Sequence, residues 1–181
     1  MTAVAGPVWI AAVLLVLSGA GKVLRPTPTR EALRNAGLPS RGPVVAAIGS
    51  VELAVAGWVL LLGGRLAAAA LGVLYLAFTL FLLRLRARAG AGANCSCLGA
   101  RPAPVTLAHV GGNLAVVVLS GLAVTAPLEP AWTVLAATPW FGAPALALVA
   151  LGVALTLALY ADLPPVLEAA RVLAADPKGD R

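Results

Sequence analysis

The chain has 181 residues, of which 61% are hydrophobic and 11% are charged, and its formal net charge is +6. An average soluble domain has roughly a quarter of its residues charged, so this composition excludes an ordinary soluble domain and indicates a protein that is solvated mainly by lipid. In a membrane protein, basic residues concentrate in particular loops, and we therefore predict no nucleic-acid partner from the positive charge.

Five apolar segments, at about 8–24, 44–62, 66–83, 105–125 and 142–161, predict five transmembrane helices. Each is close to the roughly 20 residues that a helix needs to cross the hydrocarbon core. None shows the alternation of apolar and polar residues that a barrel strand requires. We predict an all-α integral membrane protein, a bundle of four core transmembrane helices plus a fifth C-terminal one. Residues 1–162 would form the bundle and residues 163–181 a cytoplasmic tail.

The first apolar segment predicts a retained helix rather than a secretory signal, because no basic residue precedes Trp9, and Lys22 and Arg25 lie at its C-terminal end. A short amphipathic stretch comes next, from a possible N-cap at Thr29 to Gly37. We predict a short interfacial helix there, with its arginines directed at lipid phosphates.

The basic residues predict the orientation in the membrane. With five spans, the first and third connections and the tail share one side, and only Arg65 lies on the other. The residues on the shared side are Lys22, Arg25, Arg30, Arg34, Arg41, Arg84, Arg86, Arg88, Arg101, Arg171, Lys178 and Arg181. The positive-inside rule makes that side cytoplasmic, which predicts a bacterial inner-membrane protein with its N-terminus outside. Trp9, Trp132 and Trp140 would then lie near the outer surface, where indoles favour the headgroup region.

Four residues with charged, imidazole or amide side chains fall within or at the end of the predicted spans. Glu52 is about 13 Å from the inner surface, Asn113 is at a similar depth, His109 is one turn closer to the inner face, and Lys22 is at the inner end of the first span. Inserting a centred acid costs about 2.5–3.5 kcal/mol, so Glu52 should face the bundle interior. Together these residues predict a polar pocket in the cytoplasmic half of the bilayer.

Simpler roles are also compatible with each of these residues. Glu52 and Asn113 could simply form hydrogen bonds between helices, and His109 could be a core histidine whose hydrogen bonds are satisfied. Lys22 could extend to the headgroups rather than pair with Glu52.

Cys95 and Cys97 are the only cysteines, and they lie in a Gly- and Pro-rich connection. A disulfide between positions two apart needs a turn and should be strained, which favours thiol–disulfide exchange over a structural bond. Such a short loop removes little chain entropy, and the predicted location faces the reducing cytosol. Inert cysteines remain an alternative. With His109 they would give zinc three ligands of the four it takes, so we predict no metal site.

The predicted helix dipole suggests different roles for the two thiols. Cys97 is nearer the positive N-terminal end of the fourth helix and is the better candidate for the attacking thiolate, with Cys95 as the resolving thiol. His109 could accept protons, and Glu52 could gate a hydrophobic carrier such as a quinone.

Several motifs resemble one known family: SGAGKVLRP at the end of the first span, RNAGLP after it, VELAVAGWVLLLG in the second, CSCLG in the third connection and H-x-x-x-N in the fourth span. They resemble the methylamine utilisation protein MauE family, a branch of the DoxX-like membrane proteins. The similarity covers about residues 8–125. CSCLG stands where that family commonly has C-x-C-F-G.

The resemblance implies a membrane protein that helps to mature the small, disulfide-rich subunit of methylamine dehydrogenase, with a thioredoxin-like protein as its partner. It also implies that Cys95 and Cys97 are the redox pair, with Glu52, His109 and Asn113 lining a pocket behind them. A different function remains open, namely a non-catalytic membrane subunit or scaffold of a quinone-linked oxidoreductase complex.

Overall fold

The computed structural model describes residues 4–90, 94–95, 103–104, 106–126, 128–137 and 139–161. In these ranges the chain forms seven helices and one pair of two-residue strands. The helices are α1 (Ala5–Leu24), α2 (Thr27–Asn35), α3 (Gly42–Leu61), α4 (Gly64–Ala89), α5 (Leu107–Thr125), α6 (Ala131–Ala137) and α7 (Pro139–Ala161), and the strands are β1 (Asn94–Cys95) and β2 (Ala103–Pro104).

Five of these helices, α1, α3, α4, α5 and α7, are long and apolar enough to cross a membrane. The predicted all-α membrane protein with five spans is therefore confirmed. Most helix ends lie within three residues of the predicted ones, but α4 continues to Ala89 because no helix breaker occurs before Gly90, whose φ is +80°. Arg84, Arg86 and Arg88 were expected in the third connection and instead extend α4.

The spanning helices pack mainly as two pairs, α1 with α3 and α4 with α5, and α7 lies against α1. The pairs meet through contacts of α3 with α4 and of α1 with α5. Small and branched side chains fill the space between them, among which Val8, Ala12, Val59, Ala67 and Leu71 are fully buried. The remaining surface of the spans exposes large apolar side chains, which suits contact with lipid.

The short helix α2 differs in part from the predicted interfacial helix. It begins at Thr27, after Pro26, and Thr29 is a buried residue of its first turn rather than the N-cap. It ends where expected, because Gly37 has a φ of +66° and the N–H of Leu38 donates to the carbonyl of Leu33 at 2.8 Å.

The buried face of α2 packs on the C-terminal part of α4, and its arginines Arg30 and Arg34 are exposed. The apolar contact consists of Ala32, Ala36, Leu82 and Leu85. Arg84 adds a hydrogen bond from its Nε to the carbonyl oxygen of Ala36 at 2.8 Å. The helix therefore caps one end of the bundle with protein contacts as well as presenting a basic surface.

At the opposite end of the bundle, the connection after α5 forms hydrogen bonds with the start of α4 and with the end of α3. The N–H of Gly64 donates to the carbonyl of Leu128, and the indole N–H of Trp132 donates to the carbonyl of Leu61 at 2.9 Å. Trp132 and Trp140 are exposed, as expected for headgroup contacts, but Trp9 is only 5% exposed and packs in the core. The indole of Trp9 therefore packs against neighbouring helices, because α1 turns that side toward them.

The third connection contains one short piece of regular structure that was not expected. β1 and β2 pair in antiparallel fashion, with Asn94 opposite Pro104 and Cys95 opposite Ala103. The tail predicted at residues 163–181 lies outside the described residues.

Candidate functional site

Two glycines allow α1 and α3 to approach closely. A Cβ at Gly19 would lie 2.8 Å from the carbonyl oxygen of Gly49, and a Cβ at Gly49 would lie 2.8 Å from that of Gly19. Small residues let membrane helices come together backbone to backbone. Lys22 and Glu52 lie one turn after these glycines on antiparallel helices, and each packs against the glycine of the other helix. Because side chains on a helix lean toward its N-terminus, both lean back over the crossing and meet there.

Lys22 and Glu52 form a buried ion pair at this crossing. The Nζ atom of Lys22 lies 2.9 Å from both carboxylate oxygens of Glu52, and the two side chains are 7% and 0% exposed. Lys22 also donates to the Ser18 hydroxyl at 2.5 Å, and that hydroxyl interacts with Glu52 in turn. The ammonium is 5.6 Å from the centroid of the Phe78 ring, a distance at which a cation–π contact contributes.

This pairing decides between two of the roles considered for Lys22. Its side chain bends back into the bundle instead of extending to the headgroups, because the carboxylate of Glu52 lies one helix away. Glu52 faces the bundle interior, as expected, and its charge is matched by that of Lys22. The cluster of Ser18, Lys22 and Glu52 is therefore neutral overall and strongly hydrogen-bonded.

His109 has a local structural role that the sequence reasoning missed. It forms a capping box with Thr106, in which the His109 backbone N–H donates to the threonine hydroxyl and the Thr106 backbone N–H donates to Nδ1 at 3.3 Å. The Thr106 hydroxyl also lies 2.8 Å from Nδ1. Because Nδ1 is an acceptor here, the ring is uncharged with its proton on Nε2. The pattern T-x-x-H could have revealed this role, since Glu or Gln commonly occupies the last position.

A cavity of about 470 Å³ lies mainly between α1, α2, α4 and α5, and α3 and α7 each add one residue to its wall. Its volume is within the range of small-molecule sites, roughly 300–1,000 Å³. Lys22, His109 and Asn113 line it at the end near α2, and Pro7 and Ile10 line it toward the other end of α1. The cavity therefore combines one polar end with a long apolar remainder.

The cavity gathers three of the predicted pocket residues, Lys22, His109 and Asn113, but not Glu52. Glu52 does not line it, because Lys22 lies between the carboxylate and the cavity. Asn113 is half-buried, and its side-chain amide makes no hydrogen bond to any other described residue. Asn113 therefore leaves hydrogen-bonding capacity for a bound molecule at this end of the cavity.

The cysteines are only partly within the described residues. The backbone of Cys95 belongs to β1, which packs against α2, and α2 contributes Thr29, Ala32 and Leu33 to the cavity wall. Cys97 lies outside the described residues. One helix thus separates the strand that carries Cys95 from the cavity.

The fold and the cavity define the class of this protein: it is a multi-pass helical membrane protein with a largely apolar cavity between its helices. The sequence model of the family described as methylamine utilisation protein MauE matches residues 1–128. The chain belongs to this family, as its motifs predicted. No curated protein and no solved structure matches the chain.

Proposed function

We propose that this methylamine utilisation-type membrane protein carries out thiol–disulfide exchange at Cys95 and Cys97 and thereby supports maturation of a partner protein. The observation that supports this proposal is the position of β1, which carries Cys95 on α2 at the end of the bundle where the cavity is polar. Within the family's process, the partner would be the small subunit of methylamine dehydrogenase, with a thioredoxin-like protein as the second redox partner.

The exchange proceeds in two balanced steps. A thiolate of Cys97 attacks one sulfur of a partner disulfide, which forms a mixed disulfide and releases the other partner sulfur as a thiolate. Cys95 then attacks the mixed disulfide. The partner leaves as a dithiol and the chain is left with the Cys95–Cys97 disulfide, so two electrons have moved to the partner. The same steps in reverse oxidise a partner dithiol.

The assignment of attacking and resolving thiols gives an asymmetric test. In Cys95→Ser, the mixed disulfide formed by Cys97 cannot be resolved, so a covalent adduct should accumulate in cells after acid quenching and alkylation. In Cys97→Ser, no such adduct should form. Non-reducing electrophoresis would show the adduct as a mass increase that a reductant removes, and the double serine variant supplies the baseline.

A second function, that of a non-catalytic scaffold, is favoured by one observation. The ion pair of Lys22 and Glu52 is buried and links α1 to α3, which is the arrangement expected of an interaction that fixes helix packing. A scaffold would tolerate replacement of both cysteines, and wild-type protein would then show neither an oxidised form nor an adduct. That result would contradict the exchange proposal and leave the scaffold.

The orientation is part of the proposal. We infer that α2 and the third connection face the cytoplasm, because the exposed arginines Arg30, Arg34 and Arg41 lie at this end of the bundle. On this orientation the protein is a bacterial inner-membrane protein with its N-terminus outside.

A further inference from the structure

We propose that the cavity binds a long-chain amphiphile whose head is uncharged and forms hydrogen bonds, the chemistry that a membrane quinone and a neutral lipid share. This proposal does not depend on thiol exchange at the cysteines. Three observations support it: the shape of the cavity, the charge at its polar end, and the hydrogen bonds that the hydroxyl groups in its apolar part make within the protein.

The shape of the cavity suits a single extended chain. Its wall includes Pro7 near the start of α1 and Lys22 near the end of that helix. These residues are about 22 Å apart at 1.5 Å per residue. Since the polar side chains cluster at the Lys22 end, a ligand with a polar head and an apolar tail matches the cavity in one direction only.

The charge at the polar end selects an uncharged head. Lys22 is the one charged residue that lines the described cavity, and its charge is already matched by Glu52 at 2.9 Å. His109 is uncharged because its Nδ1 accepts the N–H of Thr106. An anionic head would therefore enter without a free counter-charge and would also approach the Glu52 carboxylate, which is unfavourable in a site removed from water.

Asn113 supplies the hydrogen bonds for the head. Its amide can donate two hydrogen bonds and accept two, and none of these is used by another described residue. A carbonyl or hydroxyl on the ligand would pair with this amide. The neighbouring Gly112 also lines the cavity and leaves room beside Asn113.

The rest of the cavity suits an apolar ligand tail. Two hydroxyl-bearing residues line this part, and both hydroxyls are bonded within the protein. Tyr75 donates to the carbonyl of Ala11 at 2.8 Å, and Thr156 donates to the carbonyl of Gly152 at 2.7 Å. The remaining wall is made of aliphatic and phenyl side chains such as Leu14, so a hydrocarbon tail is the matching partner.

Binding to the purified full-length protein in detergent tests the proposal with three probes of equal alkyl chain: an alkyl benzoquinone, the alkyl alcohol and the alkyl carboxylate. We expect the uncharged probes to bind and to raise the unfolding temperature, and the carboxylate to bind at least about tenfold more weakly. Binding by the quinone alone identifies a quinone as the source, whereas equal binding by the alcohol identifies a neutral lipid. Equal binding by the carboxylate would overturn the proposal.

Two matched pairs of variants locate the site. Val116 lines the cavity, whereas Val118 on the same helix is 63% exposed and does not line it. Val116→Trp should weaken binding of the uncharged probe by about tenfold or more because the indole fills the cavity, and Val118→Trp should leave it unchanged. Equal effects of the two would contradict an internal site.

The second pair of variants tests where the head of the ligand binds. It also tests the proposal if Val116→Trp does not fold. Asn113→Leu should weaken binding of the uncharged probe about fivefold through the lost hydrogen bond, with Asn35→Leu on the exposed face of α2 as its control. Unchanged affinity in Asn113→Leu would show that the head does not lie at Asn113 and would overturn the proposed orientation.

Discussion

Gly19 and Gly49 lie so close together that neither position has room for a side chain, since a Cβ on either would lie 2.8 Å from the carbonyl oxygen of the other. Lys22 and Glu52 pack across this crossing, each against the glycine of the other helix, and their side chains meet at 2.9 Å. The close crossing of α1 and α3 at these glycines thus sets the distance between Lys22 and Glu52. Any residue that pushes α1 and α3 apart should affect both the packing and the pair.

Replacing Gly49 with alanine should therefore destabilise the bundle. The added methyl group meets backbone atoms of Gly19, which cannot move aside, and overpacking of this kind costs about 1–3 kcal/mol. Gly57→Ala in the same helix is the control, because a Cβ there meets nothing within 4 Å. Thermal unfolding in detergent should show a lower midpoint for Gly49→Ala alone. Equal midpoints would mean that α1 and α3 can separate without loss.

Removing one partner of the ion pair should be more harmful than removing both. Lys22→Met leaves the Glu52 carboxylate buried without a counter-charge, which costs about 3–5 kcal/mol. The double variant Lys22→Met with Glu52→Gln removes both charges and should recover much of that loss. Arg25→Met, at an exposed position near the end of α1, should change the free energy of unfolding by less than about 0.5 kcal/mol.

A double-mutant cycle measured by denaturant unfolding would report the coupling between Lys22 and Glu52. Additive effects of the two single substitutions would show that the charges do not interact. Such additivity would also weaken the argument that the polar end of the cavity is neutral.

The capping box at the start of α5 should govern the order of its first turn. Thr106→Val removes the hydroxyl that accepts the His109 N–H, and loss of such a cap costs about 1 kcal/mol. Hydrogen exchange of the His109 amide should become faster, whereas Thr106→Ser should keep the wild-type rate because it retains the hydroxyl. His109→Gln should preserve the cap and His109→Leu should not.

The orientation can be tested with two exposed glutamates at opposite ends of the bundle. In a chain whose native cysteines are replaced by serine, Glu31→Cys lies in α2 and Glu129→Cys lies in the connection between α5 and α6. In intact cells, an impermeant maleimide should label position 129 and should reach position 31 only after the membrane is opened. The reverse pattern would place α2 outside and would invert the proposed orientation.

Parts of the candidate site could be read from the sequence, and the reasons differ from residue to residue. That Glu52 faces the interior follows from the cost of exposing a carboxylate to lipid, which holds for any arrangement of the helices. The capping role of His109 depends only on Thr106, three residues earlier, and was available from the T-x-x-H pattern. The absence of Glu52 from the cavity wall could not be predicted, because it results from Lys22 lying in front of it.

The sequence by itself determined the five spanning helices and nearly all of their ends. Length and apolarity are local properties, and in lipid each segment must satisfy its backbone hydrogen bonds internally, so the helical state does not depend on neighbouring helices. The tertiary structure alone decided that Lys22 turns inward to Glu52 and that Trp9 is buried in the core. Both depend on which face of α1 meets its neighbours, and that is fixed by the close crossing of Gly19 with Gly49, residues 30 positions apart in the chain.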